Sequence, residues 1–331
     1  MTENAVQNND ILLDIKHLKK YFQVGGGQLH AVDDVSVKIP RGRTLGLVGE
    51  SGCGKSTFGR VVIGLIPASG GEVIFEGKNS LEFKGDRRSQ FRREAQIVFQ
   101  DPFSSLNPRM SVSQLISEPL IINKTCHSRK EMDAKVKELM DTVGLAERLT
   151  TSFPHELDGG RRQRIGIARA LALDPKFIVL DEPVSALDVC IQAQVLNLLG
   201  DLKKERGYTY LFISHNLSVV RYVSDSVAVM YLGVVVEQAD NTVLFGEPIH
   251  PYTQALLSAV PIARLGAKRH RILLEGDVPS PINPPAGCRF AGRCRYRQDR
   301  CLTETPQLEE IRPGHLIACL RSRELLGHQA N

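Results

Sequence analysis

Short apolar stretches, punctuated by glycine and proline, divide this chain into elements. Ile11 to Ile15 and Leu29 to Ile39 alternate or run apolar, bounded by Gly25-Gly26-Gly27 and Pro40-Arg41-Gly42, which predicts strands joined by a loop. Thr44-Leu45-Gly46-Leu47-Val48 predicts a buried strand feeding a turn. From Ser128 the period changes. Met132, Val136, Leu139, Met140 and Val143 recur at helical spacing, and Ser128 with Glu131 offers a capping-box start, so residues 102–158 read as mostly helical. Beyond Gly160 come a helix through Ala172, a strand Phe177 to Leu180, a helix from Val189 and a strand Tyr208 to Ile213. Strands separated by helices predict an α/β fold with a mainly parallel sheet and helices on its faces. A proline-rich stretch, Pro279 to Pro285, precedes an end rich in cysteine and arginine, and the polar residues 1–10 read as a disordered N-terminus.

With 331 residues the chain has room for about two domains, and 42% hydrophobic residues can bury a core in each. That excludes a disordered or fibrous protein. No apolar run approaches the ~20 residues of a membrane span, and the start lacks the basic and apolar regions of a signal peptide. The seven cysteines are therefore expected to be reduced, which makes disulfides their least favoured use. The net charge of +5 is unevenly spread: His250 to Asn331 holds 12 Lys/Arg against 7 Asp/Glu, leaving 30 of each in the first 249 residues. The body is neutral and the whole excess lies in the last quarter.

The chemistry begins at Gly49-Glu50-Ser51-Gly52-Cys53-Gly54-Lys55-Ser56, with Thr57 following, which fits G-x-x-x-x-G-K-[ST] between a strand and a helix. The glycines let backbone N–H groups turn toward phosphate oxygens, and the helix N-terminus adds partial positive charge. Lys55 would reach the terminal phosphates and Ser56 would ligate Mg²⁺. The strand Phe177-Ile178-Val179-Leu180 delivers Asp181 and Glu182 at its C-terminal end, where open parallel sheets bind ligands. There Asp181 would hold magnesium, and Glu182 would accept a proton from an attacking water.

Between and after these motifs lie Gln100, the run Leu157-Asp158-Gly159-Gly160-Arg161-Arg162-Gln163-Arg164, Ser185-Ala186-Leu187-Asp188, and His215 behind Phe212-Ile213-Ser214. From about Leu12 to Ala239 the sequence resembles the nucleotide-binding subunits of ABC transporters. Walker A, Q-loop, signature, Walker B, D-loop and switch histidine stand in their usual order. The resemblance implies a P-loop NTPase of ABC type over 11–245: a mainly parallel core, an antiparallel β subdomain and a helical subdomain at about 102–158. It implies that Phe22, or its neighbour Tyr21, stacks on adenine, and that Gln100 senses the γ-phosphate and Mg²⁺. Asp188 would organise the dimer interface, and His215 would contact the γ-phosphate. The signature departs from the usual Leu-Ser-Gly-Gly-Gln, because Asp158 stands in place of serine and Arg161 in place of glutamine. A carboxylate within ~4 Å of a phosphate charge costs on the order of 4 kcal/mol at an effective dielectric of ~20, an effect that Arg161 and Arg162 would offset in part. Unequal ATP sites in a heterodimer, with Asp158, Gly159 and Gly160 facing the partner's nucleotide, are the expectation.

The remaining residues, 246–331, contain His250-Pro251-Tyr252-Thr253-Gln254-Ala255-Leu256-Leu257, then Pro279-Ser280-Pro281 and Gly287-Cys288. They resemble the C-terminal extension of ATPase subunits of peptide importers, a subfamily that also includes nickel and glutathione importers. Cys288, Cys294, Cys301 and Cys319 match zinc-ribbon spacing poorly. Four thiolates also suit a [4Fe–4S] cluster, which some members of the subfamily carry; zinc or no ligand are the alternatives. Arg289, Arg293, Arg295, Arg297 and Arg300 crowd around three of these cysteines, and a metal centre among them would give that charge something to balance. The implied protein is an ATP- and Mg²⁺-dependent coupling ATPase of an importer for di- or oligopeptides, peripheral on the cytoplasmic face of the inner membrane. Its implied partners are a second ATP-binding subunit, two transmembrane permease subunits and an extracytoplasmic solute-binding protein. A soluble ABC ATPase acting on nucleic acid would use the basic tail on phosphates, but it commonly carries two cassettes or a long coiled coil. Neither is present, so no nucleic-acid partner is expected.

Overall fold

The computed structural model describes residues 10–260 and 271–328, so of the expected disordered start only Asp10 lies within the described residues. The chain opens with two long strands, β1 (Ile11–Val24) and β2 (Gly27–Pro40). They extend well beyond the stretches that the apolar pattern marks, because Gly26 and Gly27 take positive φ and turn the chain in two residues instead of a loop. After β3 (Thr44–Val48) and α1 (Lys55–Val62), β4 (Gly70–Phe75) returns antiparallel to β1, and β5 (Lys78–Asn79) completes a four-stranded sheet of order β2-β1-β4-β5.

Then follow α2 (Gly85–Glu94), β6 (Ala95–Val98), α3 (Val112–Ile122), α4 (Arg129–Thr142), α5 (Gly159–Leu171), β7 (Phe177–Asp181), α6 (Val189–Arg206) and β8 (Thr209–Ile213). In α4 the apolar stripe Val136, Leu139 and Met140 is buried as its spacing requires. Ser128 Oγ accepts the Glu131 N–H at 3.2 Å, but Glu131 returns to the N–H of His127 at 2.7 Å instead of that of Ser128. The capping box is thus half formed, and the acid closes the turn one residue earlier.

The last third comprises α7 (Leu217–Val223), β9 (Ser226–Tyr231), β10 (Val234–Asp240), α8 (Asn241–Gly246), α9 (Pro251–Ser258), β11 (Glu309–Arg312), β12 (His315–Ile317) and α10 (Ser322–His328).

Two compact units result. The first holds the described residues up to Ile39, Thr44–Leu81 and those from Ile213 onward; the second holds Pro40–Arg43 and Glu82–Phe212. In the first, strands run in the order β11-β12-β10-β9-β3, with β3 parallel to β9 and the others antiparallel. In the second the order is β8-β7-β6, with β6 parallel to β7, and α3 packs on α4 and α5. Every residue of β3, β7 and β8 is buried, which is why these strands read as continuous apolar runs.

The C-terminal residues are woven into the first unit. β12 pairs with β10, and Glu237 on β10, fully buried, accepts hydrogen bonds from the N–H groups of Ile249 and His250 and contacts His315 Nε2 at 2.8 Å. Ile249, Ile317 and Leu325 form a small apolar core there. The proline-rich stretch has no regular structure, yet it is latched to the first hairpin. Asn283 donates to Gln28 O, accepts from Gln28 N and reaches Gly26 O, and His30 N donates to Pro281 O.

Candidate active site

The two units each carry a group of the residues singled out by sequence. In the first unit, Gly49 to Ser56 links β3 to α1. Gly54 is the N-cap of α1 with φ 105°, and a Cβ there would collide with the Ala31 carbonyl oxygen. No side chain caps α1 and its first turn holds no acid, so nothing anionic in the chain itself offsets the positive end of the helix dipole there. The buried Lys55 donates from Nζ to the carbonyls of Gly49 and Glu50, each at 2.9 Å, and so closes the loop on itself. Ser56 and Thr57 follow in the first turn of α1. Such a cradle of N–H groups with one ammonium fits a nucleotide polyphosphate. Burial pushes the Cys53 thiol up, against the opposing charge of Lys55.

The two candidate aromatics stand on β1 of the same unit. Tyr21 is engaged: its ring packs on His30 with centroids 4.2 Å apart, and its hydroxyl donates to Asp33. Burial and that bond push its pKa up. Phe22 has the Lys20 ammonium 4.6 Å from its ring centroid. His215 follows β8 after Ser214 and is exposed.

In the second unit, β7 ends on the buried Asp181, and Glu182 follows with a left-handed φ of 48°. A non-glycine residue in that region is held there by its surroundings, and such strain collects at functional positions. Gln100 donates from Nε2 to Glu182 Oε2 at 3.1 Å, so the two predicted side chains meet. Asp188 caps α6 by accepting the Ile191 N–H, and Asp158 caps α5 by accepting the Arg161 N–H at 2.8 Å. Arg161 Nε lies 3.4 Å from the other oxygen of Asp158. Gly160 lets α5 approach α6, because a Cβ there would run into Ile191.

The four C-terminal cysteines line one small cavity together with His250, Phe290 and Tyr296. Burial pushes the thiols of Cys288 and Cys319 up to about 11 and raises that of Cys294. Among the described residues no group of three or more His, Cys, Asp or Glu side chains is placed to hold a metal ion. The arginine crowd has another use. Arg289 pairs with Asp33 and donates to the Leu232 carbonyl, and Arg293 pairs with Glu50 at 2.9 Å. Two of the five arginines thus pair with carboxylates elsewhere in the first unit. Hydrogen bonds from His30 and Tyr21 and the charge of Arg289 outweigh burial and hold the Asp33 carboxyl below its usual range. These partners, with Tyr252, escaped sequence reasoning; the only signal was arginine recurring four residues apart at 289 and 293.

Known proteins resemble the chain along nearly its whole length. Residues 32–185 match the ABC transporter family, and residues 236–301 match the oligopeptide/dipeptide transporter C-terminal region. A putative oligopeptide transport ATP-binding protein of Bacillus subtilis, YkfD, is 50% identical over 93% of this chain and 94% of that protein. The dipeptide transport ATP-binding protein DppF of Haemophilus influenzae is 48% identical over 96% and 98%. Among solved structures, a dimeric ATP-binding cassette, MJ0796, bound to ADP and Pi superposes with a TM-score of 0.64 and 28% identity, covering 69% of this chain and 98% of that one. The cbiO1 protein of Clostridium perfringens, part of an ABC transporter complex, gives 0.64 and 29% over 72% and 92%.

Proposed function

The chain belongs to the ATP-binding proteins of ABC transporters, in the branch with the oligopeptide/dipeptide transporter C-terminal region, and from that premise we propose that it drives import of di- or oligopeptides. It is an ABC-type ATPase. The observation that carries the reading is the phosphate loop, folded around Lys55 at the N-terminus of α1, which no side chain caps. No helix among the described residues is long and apolar enough to cross a membrane, which suits a peripheral subunit on the cytoplasmic face of the inner membrane. Two permease subunits would supply the pathway and an extracytoplasmic solute-binding protein the specificity.

In this reading the N–H groups of the loop and Lys55 bind the phosphates, and Phe22 stacks on adenine. Ser56, Gln100 and Asp181 are the residues that would hold Mg²⁺, which when bound would neutralise phosphate charge. Glu182 takes a proton from the attacking water, Gln100 orients its carboxylate, and His215 meets the γ-phosphate. ATP then favours a closed pair of such subunits, and hydrolysis lets them part. Glu182→Gln is expected to keep ATP binding while lowering hydrolysis at least ~100-fold, in line with loss of a general base. In cells carrying that variant, uptake of labelled di- and oligopeptides should stop. Unaffected peptide uptake would overturn the proposal, and loss of nickel or glutathione uptake alone would move the substrate to that class.

The partner subunit is proposed to be a second, different ATP-binding chain. Asp158 stands where a serine hydroxyl would meet the partner's γ-phosphate, and its charge is offset only in part by Arg161. Serine also caps helices, so Asp158→Ser leaves α5 in place and makes a clean test. Turnover or nucleotide occupancy of the assembled complex should rise; if both stay constant, the two sites are not unequal for this reason.

A further inference from the structure

Glu50, the second residue of the phosphate loop, puts a carboxylate into a segment expected to bind anionic oxygens. Its surroundings are built to control it. The Glu50 N–H donates to Tyr252 Oη at 2.9 Å, which takes that N–H out of the set left for phosphate. Its carboxylate receives Arg293 Nη1 at 2.9 and 3.2 Å. Arg293 is 10% exposed and lies over the Tyr231 ring, 6.0 Å from its centroid. Tyr231 packs on Tyr252 at 4.7 Å and edge-on against Phe290 at 5.3 Å. β9, α9 and the turn that carries Phe290 and Arg293 together set an aromatic cluster and a guanidinium beside Glu50. The turn itself is pinned, because Arg289, four residues earlier, is held by Asp33 and the Leu232 carbonyl. An arginine fixed in this way gives a charge-assisted pair with little rotamer freedom left to lose.

Resting on the ATPase reading above, we propose that Arg293 and Tyr252 are positioning residues for ATP, which neutralise and hold Glu50 so that the loop accepts phosphate. The C-terminal extension is then part of the machinery that sets nucleotide affinity. Without Arg293, the Glu50 carboxylate stays beside the incoming phosphates uncompensated, and the loop loses the anchor that keeps its N–H groups preorganised.

The test is the Kd of a fluorescent ATP analogue, methylanthraniloyl-ATP, for the purified full-length chain. Arg293→Ala should raise Kd roughly tenfold, the loss expected for one charge-assisted hydrogen-bonded pair. Arg293→Lys, whose ammonium can meet the same two oxygens, should return it to within about threefold of the native value. In a Glu50→Gln background Arg293→Ala should cost no more than about twofold, since the charge to be compensated is gone. Tyr252→Phe should raise Kd about threefold and serves alone if Arg293→Ala does not fold. An unchanged Kd in folded Arg293→Ala, the same loss in the native and Glu50→Gln backgrounds, or a native Kd for Tyr252→Phe would overturn the positioning role. Lys55→Ala separates the two levels. If it binds the analogue as the native chain does, the ATPase reading itself falls. If it loses binding while Arg293→Ala binds normally, only the positioning role falls.

Discussion

His250 shows how a single buried residue sets a pH response. It caps α9 by accepting the Tyr252 N–H, and burial, against the opposing charge of Glu237, pushes its pKa down to about 4. The unfolded chain takes up a proton near 6.5, whereas the folded one resists it until about 4. The neutral ring thus stabilises the fold fully above about 6.5, and that contribution is lost as pH falls toward 4, to the order of 3 kcal/mol. Urea midpoints at pH 7 and pH 4.5 should differ more for the native chain than for His250→Asn, which keeps an N-cap acceptor but cannot titrate. The cysteines give a second readout. Alkylation near neutral pH should mark the exposed Cys190 well before Cys53, Cys288 or Cys319, whose thiols burial raises.

At the scale of elements, the phosphate loop depends on backbone shape as much as on its lysine. Gly54→Ala would force a Cβ into the Ala31 carbonyl at φ 105°, and is expected to cost more than ~1 kcal/mol of stability and to abolish ATP binding. Thermal midpoints and nucleotide titration would show both. The loop, β3, β7 and β8 were legible in the sequence because buried parallel strands are continuous apolar runs and because glycine, lysine and serine at fixed offsets have few other uses. The pairing of Gln100 with Glu182 could be anticipated only through the resemblance, since 82 residues separate them. β11 (Glu-Glu-Ile-Arg) and β12 (His-Leu-Ile) were not legible at all. Both are too short to show a period and owe their form to registration on β10. The hold on Glu50 was hidden for a similar reason: Tyr252 and Arg293 reach it from some 200 and 240 positions away.

For the whole molecule, the C-terminal residues are structural partners of the first unit and not an appendage. His315→Ala would strip the buried Glu237 of one of its partners and leave a void, and should lower the free energy of unfolding by roughly 2 to 4 kcal/mol in urea titration. The latch of Asn283 on Gln28 spans 255 positions of chain. Synthesis at about 5 to 20 residues per second would separate the emergence of its two halves by roughly 13 to 50 s. During that interval the first hairpin is already made but has neither its latch nor Arg289 on Asp33, and the loop waits for Arg293. A nascent chain halted before residue 283 should therefore hold ATP poorly even though every residue of its phosphate loop has left the ribosome. Competence for nucleotide would then arrive only once Arg293 has emerged.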